Sequence, residues 1–292
     1  MQTSRAPVAE RKADVVANDL LRRVVAGELA VGGVLPREPE LATHYGVNRS
    51  VVREAVKLLE VHRIARPVRR RGTEVLDPLA SLSPEVLRAM LEPRPGAIDR
   101  RMLAGLLEIR ASLDVHMTAL AAQRHTDADI ARIHGIALEA ERALGDHARY
   151  SSIVRGLSLA FARATQNPVF VMLAHWNDVV TSDLESVFRV VRPATEAHLA
   201  GLRLLIDLVA ARKADEVRAL VTAFHAWSTP RLLAAAALAS GEPVEATSAE
   251  LTAPLPMLAE LLGGAGVRND ERRAGARAKK ATTKTKKKGA RS

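Results

Sequence analysis

The stretch that decides the fold covers residues 35–75 and reads LPREPELATHYGVNRSVVREAVKLLEVHRIARPVRRRGTEV. Residues 37–45 carry a short helical pattern, and Gly46 and Asn48 interrupt it before a second helix over 49–62. In that second helix, the three- and four-residue spacing of apolar positions predicts one buried stripe, formed by Val52, Val56 and Leu59. Two short helices joined by a tight turn predict a helix-turn-helix.

The opposite face of the second helix begins with polar and basic residues, which include Arg49, Ser50 and Arg53. An arginine fork can hold guanine O6 and N7 together, or a phosphate, so this face is suited to a DNA major groove. A solvated face of mixed charge is the alternative interpretation. The following residues, 64–75, alternate as strands and predict a β-hairpin wing with a basic tip made of Arg69, Arg70, Arg71 and Gly72.

Residues 15–75 resemble the DNA-binding domain of the GntR family of bacterial transcriptional regulators. The resemblance is carried by an ordered set of positions: Gly33, Leu35, Pro36, Glu38, Leu41, Ala42, Gly46, Val47, Arg49, Val52, Arg53, Glu54, Ala55, Leu58, Gly72 and Thr73. It implies a winged helix-turn-helix of three helices and a small hairpin. It also implies base or phosphate contacts at Asn48, Arg49 and Arg53.

Three positions depart from the family pattern. Pro39 stands where many members have a DNA-contacting arginine, and we expect Arg37 to take over that contact. Arg63 stands where a glycine usually ends the recognition helix, and a positive φ there would cost about 1 kcal/mol. Arg70 stands where the wing tip usually has glycine, and three consecutive arginines are expected to strengthen contact with phosphates or the minor groove.

The composition favours a helical protein with more than one core. A chain of 292 residues can bury two domain-sized cores, and with 48% hydrophobic but only 3% aromatic residues these cores consist of Leu, Val and Ala. The absence of cysteine excludes disulfides, thiolate catalysis and cysteine metal sites. No apolar run is long enough to span a bilayer and the first residues lack a secretory segment, so we expect a cytoplasmic protein without a membrane partner.

The positive charge lies mainly at the two ends. Residues 268–292 contribute +9 and residues 1–78 contribute +4 to a net charge of +10, which leaves −3 for residues 79–267. The middle of the chain is therefore not a polyanion-binding surface. The Lys/Arg-rich tail is expected to be a flexible segment, and it is equally open whether it also attracts DNA phosphates without reading sequence.

The remaining chain predicts an all-α antiparallel bundle. A helix over 9–26, with an inward face of Val15, Val16, Leu20, Val24 and Val25, precedes the helix-turn-helix. Helical blocks after the wing are expected at 99–124, 127–144, 151–165, 168–191, 195–212 and 214–238. These blocks resemble the FCD effector-binding domain of the FadR-like branch, on the segments LLEIRASLDVHMTALAAQR, AFARATQNPVF and LIDLVAARKADEVRALVTAFH. The expected organisation is a disordered start at 1–8, a DNA-binding domain at 9–78, an effector-binding and dimerisation domain at 79–240, and a flexible tail at 241–292.

Many FCD domains hold a divalent metal with one Asp and three His, and this chain departs from that pattern. Val154 and Ser158 occupy the first two ligand places, His198 lies about one turn before the third, and only His225 is aligned. No metal site and no cofactor are therefore expected. His198 and His225 are then helix residues with local hydrogen bonds.

The effector site is expected to be a mainly aliphatic cavity lined by parts of 103–120, 154–173, 199–209 and 217–225. On the resemblance, Arg110 can pair with an effector carboxylate or phosphate, although an ion pair between helices is equally possible. The candidate effector residues are Arg110, Ser158, His198 and His225. Such a cavity favours a ligand with a sizeable apolar part.

Catalysis has little support, since no phosphate-binding glycine loop, HExxH motif or carboxylate pair is present. The sequence predicts a homodimeric, ligand-responsive transcriptional regulator, expected to be a repressor, with an inverted-repeat operator in double-stranded DNA as its partner. The alternative is an architectural nucleic-acid-binding protein that uses the wing and tail. That alternative leaves a slightly acidic bundle of roughly 140 residues unexplained.

Overall fold

The protein is described by a computed structural model that covers residues 11–244. The expected disordered start and the Lys/Arg-rich tail lie outside the described residues. The described chain divides into two compact units, the first made of 11–110, 171–188 and 232–244, the second of 111–170 and 189–231. The boundary between DNA-binding and effector domains at residue 78 stays a prediction.

Three helices of the first unit form the expected helix-turn-helix: α1 (Lys12–Val25), α2 (Glu38–Tyr45) and α3 (Arg49–Val61). Gly46 ends α2 with φ 62°, a left-handed conformation that glycine adopts without a Cβ clash. The apolar faces meet in one core, which contains the buried Leu20, Leu41, Val52 and Leu59. The expected inward position of Val15 is wrong, because the buried stripe of α1 runs through Ala13, Val16 and Ala17 and leaves Val15 49% exposed.

The wing is an antiparallel pair of strands, β1 (Ala65–Val68) and β2 (Gly72–Val75). The preceding loop adds to its edge, since the N–H of Leu35 donates to the Thr73 carbonyl and Val34 forms a bridge with Glu74. Gly72 has φ 111°, and a Cβ there would lie 2.9 Å from Cγ1 of Val34. Glycine is therefore required where the second strand passes the loop.

Two arginines adopt the left-handed backbone conformation at positions where the family usually has glycine. The φ angle is 57° at Arg63, after the end of α3, and 65° at Arg70, in the wing turn. Arg63 therefore has the positive φ angle for which the sequence analysis expects backbone strain at the end of the recognition helix.

A short helix, α4 (Pro84–Leu91), follows the wing and a 3-10 turn at Pro78–Ala80. Its buried residues Val86 and Ala89 belong to the same apolar core as α1 to α3. Proline at the first helical position suits its fixed φ. The helix thus packs with the DNA-binding core.

The remaining helices are α5 (Arg100–Arg124), α6 (Asp127–Arg142), α7 (His147–Ala164), α8 (Pro168–Thr181), α9 (Glu185–Phe188), α10 (Glu196–Ala210) and α11 (Ala214–Ala239). In the second unit, α6 packs against both α7 and α10. Thr126 and Asp129 form a reciprocal capping box at the start of α6, and Thr195 caps α10. The fold class, a winged helix-turn-helix followed by a helical region, is confirmed. Within residues 11–244, no helix is both long and apolar enough to cross a membrane.

The prediction of one helix over 168–191 is wrong. The α-helix ends at Thr181, and two 3-10 turns, Ser182–Leu184 and Arg189–Val191, flank the single turn of α9. The hydroxyl groups of Thr181 and Ser182 donate to the carbonyls of Asn177 and Val179, at 2.8 and 2.9 Å. Such bonds from Ser and Thr to the preceding turn weaken and bend a helix, which explains the break.

Candidate nucleic-acid interface and effector residues

The recognition helix α3 presents an exposed polar face at its amino-terminal end. Asn48, Arg49, Ser50 and Arg53 are all exposed, while the buried residues of the helix lie on the opposite face. Asn48 occupies the N-cap position with an extended backbone, yet its side chain makes no capping hydrogen bond. The amide group is therefore not committed to the helix end. These four residues are the predicted DNA contacts that lie at or near the amino-terminal end of α3.

The guanidinium of Arg53 is held in place by Glu38 from the preceding helix. Nε and Nη2 of Arg53 donate to the two carboxylate oxygens of Glu38, at 3.2 and 2.9 Å. This hydrogen bond lowers the pKa of Glu38 and raises the pKa of Arg53, and the charge of Arg49 also acts on Glu38. Two of the five guanidinium N–H groups are used in this way, so the other edge can still bind a base or a phosphate.

Arg37 lies at the N-cap of α2, immediately before Glu38. Its backbone N–H donates to the carboxylate of Glu40 at 3.1 Å, and its side chain is exposed. Pro39 at the second position of the helix lacks a backbone N–H and a polar side chain. Arg37 thus directly precedes Glu38 in the chain, and its role as a substitute for the missing family arginine stays a prediction.

The wing tip exposes three arginines that differ in their surroundings. Arg71 is tied down, because its Nη2 donates to the Gly32 carbonyl at 3.2 Å and its Nη1 lies 3.9 Å from a carboxylate oxygen of Glu74. Arg69 and Arg70 are exposed at the turn itself. Gly72 allows the second strand of the wing to pass close to Val34. These features place the positive charge of the wing at its outermost residues.

His198 and Tyr150 form a polar pair inside the second unit. The Tyr150 hydroxyl and Nδ1 of His198 are 2.8 Å apart and share a hydrogen bond. Burial, together with the nearby charge of Arg192, lowers the pKa of His198 to about 4. Burial also raises the pKa of the fully buried Tyr150 phenol. Both side chains are therefore neutral near pH 7.

His225 is paired with a carboxylate that the sequence analysis did not single out for this role. Nε2 of the buried His225 lies 3.3 Å from Oδ2 of Asp114. Val154 is buried and apolar, and Ser158 offers a hydroxyl where the metal-binding pattern needs an imidazole. Among residues 11–244, no three His, Cys, Asp or Glu side chains form a group that could hold a metal ion. The side chains present do not fit the metal that the FCD resemblance implies.

Arg110 belongs to the first compact unit, whereas Ser158, His198 and His225 belong to the second. Its guanidinium carbon lies 5.0 Å from the centre of the Phe188 ring, a cation–π arrangement. Tyr150, Asp114 and Phe188 were missed as partners because each is distant in sequence from the residue it contacts. No local spacing carries that information.

The comparisons with known proteins agree with the geometry. Residues 12–75 match the profile described as bacterial regulatory proteins, gntR family, and residues 105–225 match that of the FCD domain. The chain is 30% identical over 172 residues to the HTH-type transcriptional regulator LutR of Bacillus subtilis (strain 168), with 57% of this chain and 72% of LutR covered.

Two further similarities cover more of the chain. The galactonate operon transcriptional repressor of Escherichia coli (strain K12) is 25% identical over 228 residues, with 76% of this chain and 96% of the repressor covered. The structure of Lar, which controls the expression of the Listeria monocytogenes agr system, has a TM-score of 0.51 at 22% identity, with 78% of this chain and 98% of that chain covered. At that identity, the second likeness concerns the fold alone.

Proposed function

The chain belongs to the gntR family of bacterial regulatory proteins, and on this premise we propose that it is a ligand-responsive repressor that binds an inverted-repeat DNA operator as a homodimer. The exposed face of α3, with Arg49 and the braced Arg53, carries the proposal. The similarity to a transcriptional repressor over most of both chains supports the direction of regulation. The proposed partner is operator DNA in a bacterial chromosome, and the proposal therefore includes a location in the cytoplasm.

We propose a homodimer because the recognition surface of a single chain is small. One helix contacts only a few base edges, and two-fold pairing of two such helices doubles the set of contacts. The operator should then contain two half-sites related by dyad symmetry, about one helical turn apart. An architectural protein, by contrast, would bind DNA through its phosphates without preferring a sequence.

The experiment is sequencing of DNA fragments bound by the purified full-length chain, followed by footprinting of the enriched site. Arg49→Ala and Arg53→Ala should each reduce the preference for operator over random DNA by roughly 10- to 100-fold, since a bidentate base contact contributes about 1–3 kcal/mol of discrimination. Arg163→Ala removes the same charge from an exposed position at the end of α7 and should leave that preference unchanged.

Three results would contradict the proposal. A protected site without dyad symmetry argues against a two-fold dimer. Loss of operator binding in the presence of excess random DNA supports the architectural alternative. Retention of full preference by both arginine variants would show that α3 is not the reading helix.

The effector is proposed to bind without a metal ion. Arg110, Ser158, His198 and His225 remain the candidate contacts, and Arg110 is the group suited to a carboxylate or phosphate because the donor fork of a guanidinium matches the geometry of these anions. The neutral Tyr150–His198 pair offers hydrogen bonds rather than charge. Aliphatic side chains are proposed to form the remaining lining of the effector site, and such a lining favours a ligand with a sizeable apolar part.

A further inference from the structure

The carboxyl end of the recognition helix is fastened to the segment that follows the wing. Ser81 donates through its hydroxyl to the His62 carbonyl at 2.7 Å, which satisfies an acceptor at the C-cap of α3. The Ser83 hydroxyl donates to the carboxylate of Glu85 at 2.5 Å and lies 2.9 Å from Nδ1 of His62. These half-buried hydrogen bonds connect the end of α3 to the beginning of α4.

The helix α4 is also part of the apolar core beneath the recognition helix. Val86 is fully buried and Ala89 is 8% exposed in the cluster that contains Val52 and Leu59 of α3. In this core α4 packs against α1, which in turn packs against α3. Because close-packed cores resist continuous deformation, α4, α1 and α3 are expected to move as one body. A displacement of α4 therefore displaces the recognition helix.

The outer side of the same element is held by the segment 171–188, which lies in the first unit. Arg88 of α4 forms an ion pair with Asp183, and Nε1 of Trp176 donates to the Leu82 carbonyl at 3.0 Å. The Nε–H of Arg88 is buried and meets no acceptor within the described part of the chain. A buried donor without an acceptor destabilises the conformation in which it is buried. This contact between α4 and the segment 171–188 is therefore suited to change between two conformations.

The same segment contacts the proposed effector anchor. Asp183 lies in the first 3-10 turn after α8, and Phe188, at the end of α9, is only 2% exposed beneath Arg110. An anion that engages Arg110 changes the charge above this ring and so acts on the segment that holds Arg88. The break in the helix after Thr181 gives this segment its own short, irregular backbone.

We propose that the Arg88–Asp183 ion pair and the Trp176–Leu82 hydrogen bond form a coupling joint, through which the segment 171–188 sets the position of the recognition helix. Arg88 is then a positioning residue for operator binding. The inference rests on the proposed function, since operator affinity is its main readout. Ion pairs of this exposure contribute little to stability, so a role in DNA binding is separable from a role in folding.

The test is a double-mutant cycle on the full-length chain with Arg88→Met, Asp183→Asn and the double variant. Each single variant should weaken operator binding at least fivefold. Binding to random DNA should change by less than twofold, and the urea midpoint of unfolding should change little. The double variant should be no weaker than the worse single variant, because both changes remove the same contact. Trp176→Phe, which keeps the ring but removes the donor, should act in the same direction.

A matched control exists in the second unit. Arg203 and Glu141 form an ion pair at 2.7 Å between α10 and α6, with side-chain exposures of 45% and 46%, compared with 37% and 49% for Arg88 and Asp183. Arg203→Met and Glu141→Gln make the same charge changes and should leave operator affinity within twofold of the wild type. Equal effects of the two pairs would show that net charge is responsible and would overturn the proposal.

Hydrogen exchange without DNA separates this inference from the proposed function. In Asp183→Asn, the amides of residues 81–91 should exchange at least threefold faster than in the wild type, with no such change in Glu141→Gln. If the wild type prefers no DNA sequence, the proposed function fails, and the exchange result still decides whether the joint exists. Unchanged exchange, additive effects in the cycle or equal weakening on both DNAs would overturn the coupling joint.

Discussion

Single polar residues in this protein depend on partners that are far away in sequence. Arg53 is oriented by Glu38 across the turn of the helix-turn-helix, and His198 is neutralised by burial beside Tyr150 of another helix. In each case, the residue type was visible in the sequence and its partner was not. The chemistry of each group is set by the contact and not by the residue alone.

The depressed pKa of His198 predicts a pH-dependent stability. The pKa is 6.5 in its ordinary state and about 4 in the folded protein. Between these values, the unfolded chain binds a proton at this residue and the folded chain does not. The free energy of unfolding should therefore be largest above pH 6.5 and decrease as the pH falls towards 4, by up to about 3 kcal/mol from this group.

Urea unfolding at several pH values checks this expectation. His198→Gln keeps a hydrogen-bonding group near Tyr150 but has no proton to gain, so its free energy of unfolding should decrease less between pH 6.5 and pH 4. His134→Gln makes the same substitution at an exposed position of α6 and serves as the control. Identical slopes in all three proteins would show that His198 is not the titrating group.

At the scale of single elements, the recognition helix ends in a strained residue. Arg63 has φ 57°, a conformation that costs a residue with a Cβ atom more than it costs glycine. Arg63→Gly should therefore raise the free energy of unfolding by about 1 kcal/mol. Arg63→Ala removes the same side chain but keeps the Cβ atom, and it should give no comparable gain. Thermal or urea unfolding measures the stability of the two variants. Equal stabilities would show that backbone strain at Arg63 does not account for the gain.

The sequence predicted those elements whose residues repeat with a regular period. The spacing of Val52, Val56 and Leu59 located α3 to within one residue of its observed end, and Gly46 located the turn before it. The helix over 168–191 was predicted as continuous because its apolar residues continue past Thr181. Hydroxyl-to-carbonyl bonds break it there, and such competition between side chain and backbone is not visible in a periodic pattern.

For the whole molecule, the sequence supplied the fold class but not the way the units are composed. The first unit combines the DNA-binding region with residues 171–188 and 232–244, which lie far along the chain. Contacts such as the hydrogen bond from Trp176 to the Leu82 carbonyl depend on packing between segments that are distant in sequence, and no local motif predicts them. The expected DNA-contacting and effector residues remain proposals for the experiments above.

The purified protein should carry no stoichiometric zinc, nickel or manganese. Val154 and Ser158 supply no charged or nitrogen ligand, and His225 is already paired with Asp114. Two histidines leave two or more positions of a tetrahedral ion without protein ligands. Elemental analysis of protein prepared without chelators or a metal-binding tag measures this. About one equivalent of metal per chain that disappears in His225→Ala would contradict the prediction and favour a small carboxylate as effector.

The packing of α4 in the DNA-binding core bears on how such proteins can be recombined. A head excised at residue 78 would lose Val86 and Ala89, and the apolar surface that they cover would face water. A hybrid regulator that joins this head to a foreign sensor should therefore be spliced after α4, beyond residue 92. The segment that must be transferred to the hybrid is then one helix, α4, longer than the winged helix-turn-helix itself.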